Sequence, residues 1–302
     1  MLSIPEYQKN GADRNLAFLP SLSNEDYHAL PHVSPSRLKL LARSPLHYFD
    51  KYLAADREKP EPTAAMELGT ATHTAVLEPE LFEATVTKLP ANAPRRPTQL
   101  QLEEPAKTGT AKYRDYIDAL ERKQYWDEFD KINAGKIILP LTDFDNVRSM
   151  ADAVRKHPAA KFLLDLPGRR EASYTWTGQH GVQCKTRPDW HSLNHEYVID
   201  LKTTKDASRN EFARSIAGYD YHLQAAWNLS ALGASKFLAI AVESTRPFAV
   251  AVYPASEEMI AAGHRRVNSA MALLADCLAK NKWPGYGDMI QDPIDLPTWC
   301  KD

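Results

Sequence analysis

Asp200 and Lys202 stand two apart in YVIDLKTT (197–204), a run whose β-branched and apolar residues predict a strand. Residues i and i+2 of a strand project from one face, so this carboxylate and this amine leave the backbone together. Asp189 stands eleven residues before Asp200, near the end of VQCKTRPDW (182–190). A short hairpin between the two runs brings Asp189 beside Asp200. Two converging carboxylates repel one another unless a cation lies between them. Oxygen donors of this kind suit Mg2+, with Mn2+ as a substitute. A lysine next to such a cation holds or polarises a water, or neutralises a phosphate. Carboxylates, a hard metal and a lysine together point to phosphodiester hydrolysis. A D–X–K triplet alone is common in surface hairpins. The strand context, the second acid and a glutamine in the helical run downstream set this one apart.

Other charged and aromatic residues gather near this segment. Glu171 opens the strand before Asp189 and reads as a strand-edge acid, with a share in a second metal as the alternative. Lys185 and Arg187 alternate with Cys184 and Thr186, which puts them on the face of Asp189. That placement fits contact with DNA phosphates or the site, and equally fits internal ion pairing. Tyr174, Trp176, Trp190 and Trp227 could stack bases, but their strand and helix spacing favours the core. Two segments offer local positive charge: 37–59, with Arg37, Lys39, Arg43, Lys51, Arg57 and Lys59, and the Pro-rich stretch with Lys88, Arg95, Arg96, Lys107 and Lys112.

Several elements must hold these groups in place. EASYTWT (171–177), 182–190 and 197–204 read as three consecutive antiparallel strands. A helix over 208–232 follows, weakened near Gly218 and closed by Gly233. Strands over 236–244 and 248–255 flank a Thr-Arg-Pro turn, and a long helix covers 257–281. Upstream, Ser34 reads as an N-cap with Pro35 at the first helical position, and Pro45 breaks or restarts that helix. Further helices are predicted over 65–84, 111–129 and 142–157, with a short apolar run at 136–140 before the last. Pro90, Pro94, Pro97, Pro105 and Gly109 make 88–112 a loop or mobile flap. Residues 1–30 read as an N-terminal arm and 31–302 as a single domain. The tail with WPGY and IDLPTWC is expected to pack its aromatics on the body. The order gives an α/β fold: a mixed central sheet flanked by helices.

Composition narrows the classes. The 302-residue chain has 37 basic and 39 acidic residues, a net charge of −2, which excludes a globally basic nucleic-acid binder but not a local basic groove. Cys184, Cys277 and Cys300 form no CxxC pair, so neither a disulfide framework nor a closed zinc site is expected, and free thiols suit a cytoplasmic location. No secretory signal peptide is read at the start, and no apolar run is long enough for a membrane span.

The blocks SPSRLKLLARSPLHY, LGTATHTAVLEPE, KTRPDW, Asp200-Leu201-Lys202, YHLQAAWN and WPGY…IDLPTW, in that order, resemble the RecB-like branch of the PD-(D/E)XK nucleases. Within it they are similar to the C-terminal nuclease of RecE (exonuclease VIII) and its phage relatives, from about residue 27 onward. The resemblance implies His73 as a metal ligand, on a Gly69-x-x-x-His73 spacing. It implies Asp189 and Asp200 as carboxylate ligands, the Leu201 carbonyl as a further one, Lys202 as the catalytic lysine and Gln224 as the helix glutamine. The branch often has Gln-x-x-x-Tyr where this chain has Asn228; Tyr221, three residues before Gln224, shares its helix face.

The activity this implies is Mg2+-dependent, 5′-to-3′ digestion of linear double-stranded DNA from its ends, for recombination by strand annealing. The implied partners are a single-strand annealing protein of the RecT type and further copies of the chain in a toroidal homo-oligomer, a tetramer by resemblance. A PD-(D/E)XK endonuclease or nickase in repair or phage defence is the alternative. A fold kept only to bind DNA would have lost an acid or the lysine, and all three are present.

Overall fold

The computed structural model describes residues 16–20, 22–57, 61–287 and 289–296. Strand β1 (Ala17–Leu19) and helix α1 (Asn24–Ala29) come first. Helices α2 (Pro35–Arg43) and α3 (Pro45–Tyr52) each open on a proline, where the missing N–H costs no hydrogen bond. Ser44 restarts the chain between them, its hydroxyl accepting from the His47 N–H. The expected helix over 65–84 is two, α4 (Ala64–Leu77) and α5 (Pro79–Thr85), because Pro79 cannot continue the first. Next come β2 (Val86–Lys88), α6 (Ala111–Ile132), β3 (Ile137–Leu139), α7 (Leu141–Lys156) and α8 (Pro158–Leu164). The remaining strands and helices are β4 (Gly168–Arg170), β5 (Ser173–Thr177), β6 (Gln183–Thr186), β7 (Trp190–Ser192), β8 (Tyr197–Thr204), α9 (Arg209–Gly218), α10 (Tyr221–Leu232), β9 (Lys236–Glu243), β10 (Val250–Pro254) and α11 (Glu257–Lys280).

The central sheet has the order β10-β9-β8-β7-β4. β8 and β9 run parallel, from Tyr197 opposite Lys236 to Thr204 opposite Glu243, and the other neighbours are antiparallel. A second sheet, β1-β5-β6, is antiparallel, and β2 pairs with β3 in parallel. The expectation of three consecutive paired strands is corrected here. The run 182–190 is two strands in two sheets, β6 ending at Thr186 and β7 starting at Trp190. Pro188 has no N–H for a ladder, and the chain changes sheets across Arg187–Asp189. The helix expected over 208–232 also breaks, at Tyr219 and at Asp220, which has φ 51°.

β8 shows why Asp200 and Lys202 face the site. Ile199 and Leu201 point to one side and join Ala71, Ala75, Val147, Met150 and Trp190 under α4 and α7. Val198 points to the other and packs with Ala225 and Leu229 of α10. Asp200 and Lys202 follow Val198's parity, so α10 lies over them. A third cluster joins α2, α10 and α11 through Leu38, Leu41, Leu223, Trp227, Val267 and Met271. At Gly263 of α11 the helices come so close that a Cβ would lie 2.0 Å from the His222 carbonyl oxygen of α10. Tyr174, Trp176, Trp190 and Trp227 are all core residues, as their spacing indicates.

The described part of the expected arm is tied to the body. β1 pairs with β5, and Val33 exchanges backbone hydrogen bonds with Gln183 and Lys185. Residues 1–15 lie outside the described residues, as do Lys59, Trp299 and Cys300. In the tail, Trp283 stacks on Tyr48 at 5.6 Å, and Leu46 N–H donates to the Pro284 carbonyl. The Pro-rich stretch is held against α6: Trp126 Nε1 donates to the Pro94 carbonyl at 2.9 Å, and Arg96 forks onto Asp130. Among the described residues no helix is long and apolar enough to cross a membrane.

Candidate active site

Five elements meet above the middle of β8. The strand itself supplies Asp200 and Lys202, whose Oδ2 and Nζ are 2.5 Å apart. Gln224, one turn into α10, donates through Nε2 to Asp200 Oδ1 at 2.6 Å. Both oxygens of Asp200 are therefore engaged. Asp189, in the crossing between the two sheets, accepts the Leu201 N–H on Oδ2 at 2.7 Å. Its position is thus fixed by the backbone of the strand that carries Asp200.

His73 descends from α4, its Nδ1 3.6 Å from Asp189 Oδ2 and 3.8 Å from Glu171 Oε1. One ligand atom each from His73, Glu171 and Asp189 lie within 4.8 Å of one another. Glu171 sits between β4 and β5 with φ 45°, and its N–H donates to the Asp189 carbonyl at 3.0 Å. A left-handed glutamate is an uncommon conformation, of the sort that clusters at functional sites. The sequence reading ranks Asp200 above Glu171 as a ligand. The structure brings Glu171 to His73 and Asp189, and turns Asp200 towards Lys202 and Gln224.

An imidazole nitrogen with two carboxylates is a hard, mostly anionic donor set, and it fits Mg2+ or Mn2+. The charges around it are balanced by the fold. Burial alone would lower the His73 pKa, but the neighbouring Asp189 and Glu171 carboxylates outweigh it and raise it. Burial raises the Asp200 pKa, with Lys202 opposing and Asp189 adding. Lys202 is desolvated too, yet Asp200 and Asp189 outweigh that, so its pKa is raised and it stays an ammonium. Lys202 Nζ also lies 3.4 Å from the Leu201 carbonyl, the group expected as a further ligand.

A second lysine is present that sequence reading saw only as one of several cations in 37–59. Lys39 Nζ, from α2, donates to Gln224 Oε1 at 3.4 Å and lies 5.1 Å from the Tyr221 ring centre. Lys202 Nζ lies 5.1 Å from the same ring, which places Tyr221 at the site as expected from its helix face.

Other expected residues are placed differently. Lys185 is only 2 % exposed, and its ammonium donates to the Tyr27, His28 and Leu30 carbonyls. Arg187 donates to Ser173 Oγ, Asn24 Oδ1 and the Leu22 and Ser23 carbonyls. Both hold the segment around α1. Arg96 is occupied by Asp130 and lies 4.0 Å from the Trp126 ring centre, while Arg95 is exposed. Asn228, the departure from Gln-x-x-x-Tyr, is buried and accepts from the Thr186 hydroxyl at 2.6 Å. Position 228 therefore joins α10 to β6.

A mixed sheet, a crossing acid, a D–X–K strand and an overlying helix glutamine define the PD-(D/E)XK class of fold. The chain belongs to the DUF3799 family, a PDDEXK-like domain of unknown function, matched over residues 34–292. It is similar in structure to a candidate exonuclease from Eubacterium rectale, with a TM-score of 0.56 at 12 % identity, over 92 % of this chain and 96 % of that one. At that identity the likeness speaks for the fold. A phage-related exonuclease from Haemophilus somnus overlaps less, with a TM-score of 0.31 at 12 % identity, over 60 % of this chain and 92 % of that one. No curated protein matches the chain in sequence.

Proposed function

We propose that the protein is a metal-dependent exodeoxyribonuclease that digests linear double-stranded DNA from its ends. The observation that carries this reading is the convergence of His73, Glu171 and Asp189 beside the Asp200–Lys202–Gln224 group. His73, Glu171 and Asp189 would hold Mg2+, while Asp200 stays with Lys202 and Gln224 beside it; the Leu201 carbonyl remains the further ligand that the resemblance implies. A divalent cation held there would supply positive charge to the scissile phosphate and lower the pKa of a water bound to it. Lys202 keeps its proton, so it acts as a cation and hydrogen-bond donor to the attacking water or the phosphoryl oxygen, not as a base. Gln224 fixes Asp200, and Asp200 in turn aims Lys202. Water oxygen would bond to phosphorus in line as the P–O3′ bond breaks; the proton given up by the attacking water passes to solvent, and the departing 3′-oxygen takes one from solvent.

The RecE-like sequence blocks support the finer assignment: 5′-to-3′ polarity, single strands passed to an annealing protein of the RecT type and a toroidal homo-oligomer; the cysteine usage supports a cytoplasmic setting. The test is digestion of end-labelled linear duplex against covalently closed circular duplex in Mg2+, with Lys202→Ala as control. Loss of label from linear DNA alone, abolished in the variant, is the expected result. Cutting of closed circles would replace the exonuclease with an endonuclease. Turnover by Lys202→Ala at the wild-type rate would end the site assignment.

A further inference from the structure

Lys39 is a half-buried ammonium with little to hold it. Among the described residues its one hydrogen-bond acceptor is the neutral amide oxygen of Gln224, at the long distance of 3.4 Å. It ion-pairs with no carboxylate there, although Asp200 and Asp220 lie close enough to be felt. Burial and the neighbouring Lys202 lower its pKa to about 8. A lysine has three N–H donors, and a desolvated charge without a counter-ion is costly unless an anion arrives to meet it.

Aromatic surface continues outward from that ammonium. Tyr221 lies 5.1 Å from Lys39 Nζ, and Tyr219 stacks on Tyr221 with ring centres 5.6 Å apart and planes at 26°. Tyr219 is 65 % exposed although it is a large ring next to a buried site. The turn that presents it is the left-handed Asp220 between α9 and α10. An ammonium at the inner end and an exposed ring at the outer end match the two halves of a nucleotide, a phosphate and a base.

We propose that Lys39, Tyr221 and Tyr219 form a nucleotide subsite beside the metal ligands, in which Lys39 takes a backbone phosphate next to the scissile one and Tyr219 stacks its base. The proposal rests on the DNA-cleaving reading and adds to it the groups that grip the strand. Tyr221 is the spacer between the two contacts. Lys39 also acts as a positioning residue in the free chain: by donating to Gln224 Oε1 it leaves the amide NH2 facing Asp200. The subsite is indifferent to base identity, since every base has a π-face.

Binding of labelled linear duplex, measured over a salt series in Ca2+ in place of Mg2+, separates the two contacts. Lys39→Gln should flatten the log–log salt slope by about one unit, and Lys39→Arg should restore it. Tyr219→Ala should weaken affinity by about tenfold at an unchanged slope, and Tyr219→Phe should restore it. If Lys39→Gln leaves the slope as in the wild type, or Tyr219→Ala leaves the affinity, the subsite is overturned while cleavage by the wild-type chain still upholds the nuclease reading. If the wild-type chain neither binds nor cleaves DNA, both fall together.

Discussion

Substituting Gly263 by alanine should disturb the site without touching it. The new Cβ would lie 2.0 Å from the His222 carbonyl oxygen and 2.8 Å from both the His222 carbonyl carbon and Ala226 Cβ. The obstacle is helix backbone, which cannot swing aside as a long side chain would. Reaching ordinary contact requires α10 and α11 to part by roughly 1.4 Å along that line. Such overpacking costs about 1–3 kcal/mol, and the better helix propensity of alanine returns about 1 kcal/mol. A net loss of up to about 2 kcal/mol lowers Tm by up to roughly 8 °C. The effect on turnover should be larger than this, because His222 stands between Tyr221 and Gln224. A shift of about 1 Å in a positioning group can cost ~100-fold in rate. Differential scanning calorimetry and digestion of linear duplex at 25 °C, where the variant is still folded, measure the two effects. An unchanged or higher Tm together with wild-type turnover would refute the close-approach argument.

Three further outcomes are expected. In calorimetric titration with Mn2+, Glu171→Gln and Asp189→Asn should weaken binding more than Asp200→Asn, because Asp200 is the acid already held by Lys202 and Gln224; the reverse order would return Asp200 to the centre of the ligand set. Arg95→Ala with Arg96→Ala should reduce the DNA salt slope by about one unit, not two, since Asp130 already neutralises Arg96. Asp130→Ala should then steepen the slope by about one unit, and a flat response to both changes would make the stretch a bystander. Arg187→Ala removes four hydrogen bonds that hold Leu22, Ser23, Asn24 and Ser173, and should speed limited proteolysis near α1 at unaltered DNA affinity; weakened DNA binding instead would give Arg187 the phosphate role that its place in the sequence suggests.

What the sequence makes legible follows the reach of local periodicity. Asp200 and Lys202 share a face because β8 is one unbroken strand, and the alternation of apolar Ile199 and Leu201 with charged Asp200 and Lys202 announces this through residue type alone. The same rule fails for Lys185 and Arg187. Alternation counts faces only within one strand, and Pro188 ends β6 before Asp189 is reached. Glu171 is undervalued for a similar reason: its place depends on a left-handed backbone at a sheet crossing, which no residue pattern announces. Lys39 and Gly263 are legible only in three dimensions. Each matters through α10, and neither lies near it in sequence. The core aromatics are readable because large rings at regular strand or helix spacing have few other places to go.

The order in which the grouped side chains emerge during synthesis also follows from the fold. His73, Glu171 and Asp189 are far apart in the chain, and the Leu201 N–H that anchors Asp189 comes later still. A nascent chain halted before β8 would carry every member of that trio but not the Leu201 N–H that holds the Asp189 carboxylate. Gln224, which steadies Asp200, comes after it. Products truncated before α10 would therefore lack the Gln224 contact to Asp200 and the finished centre.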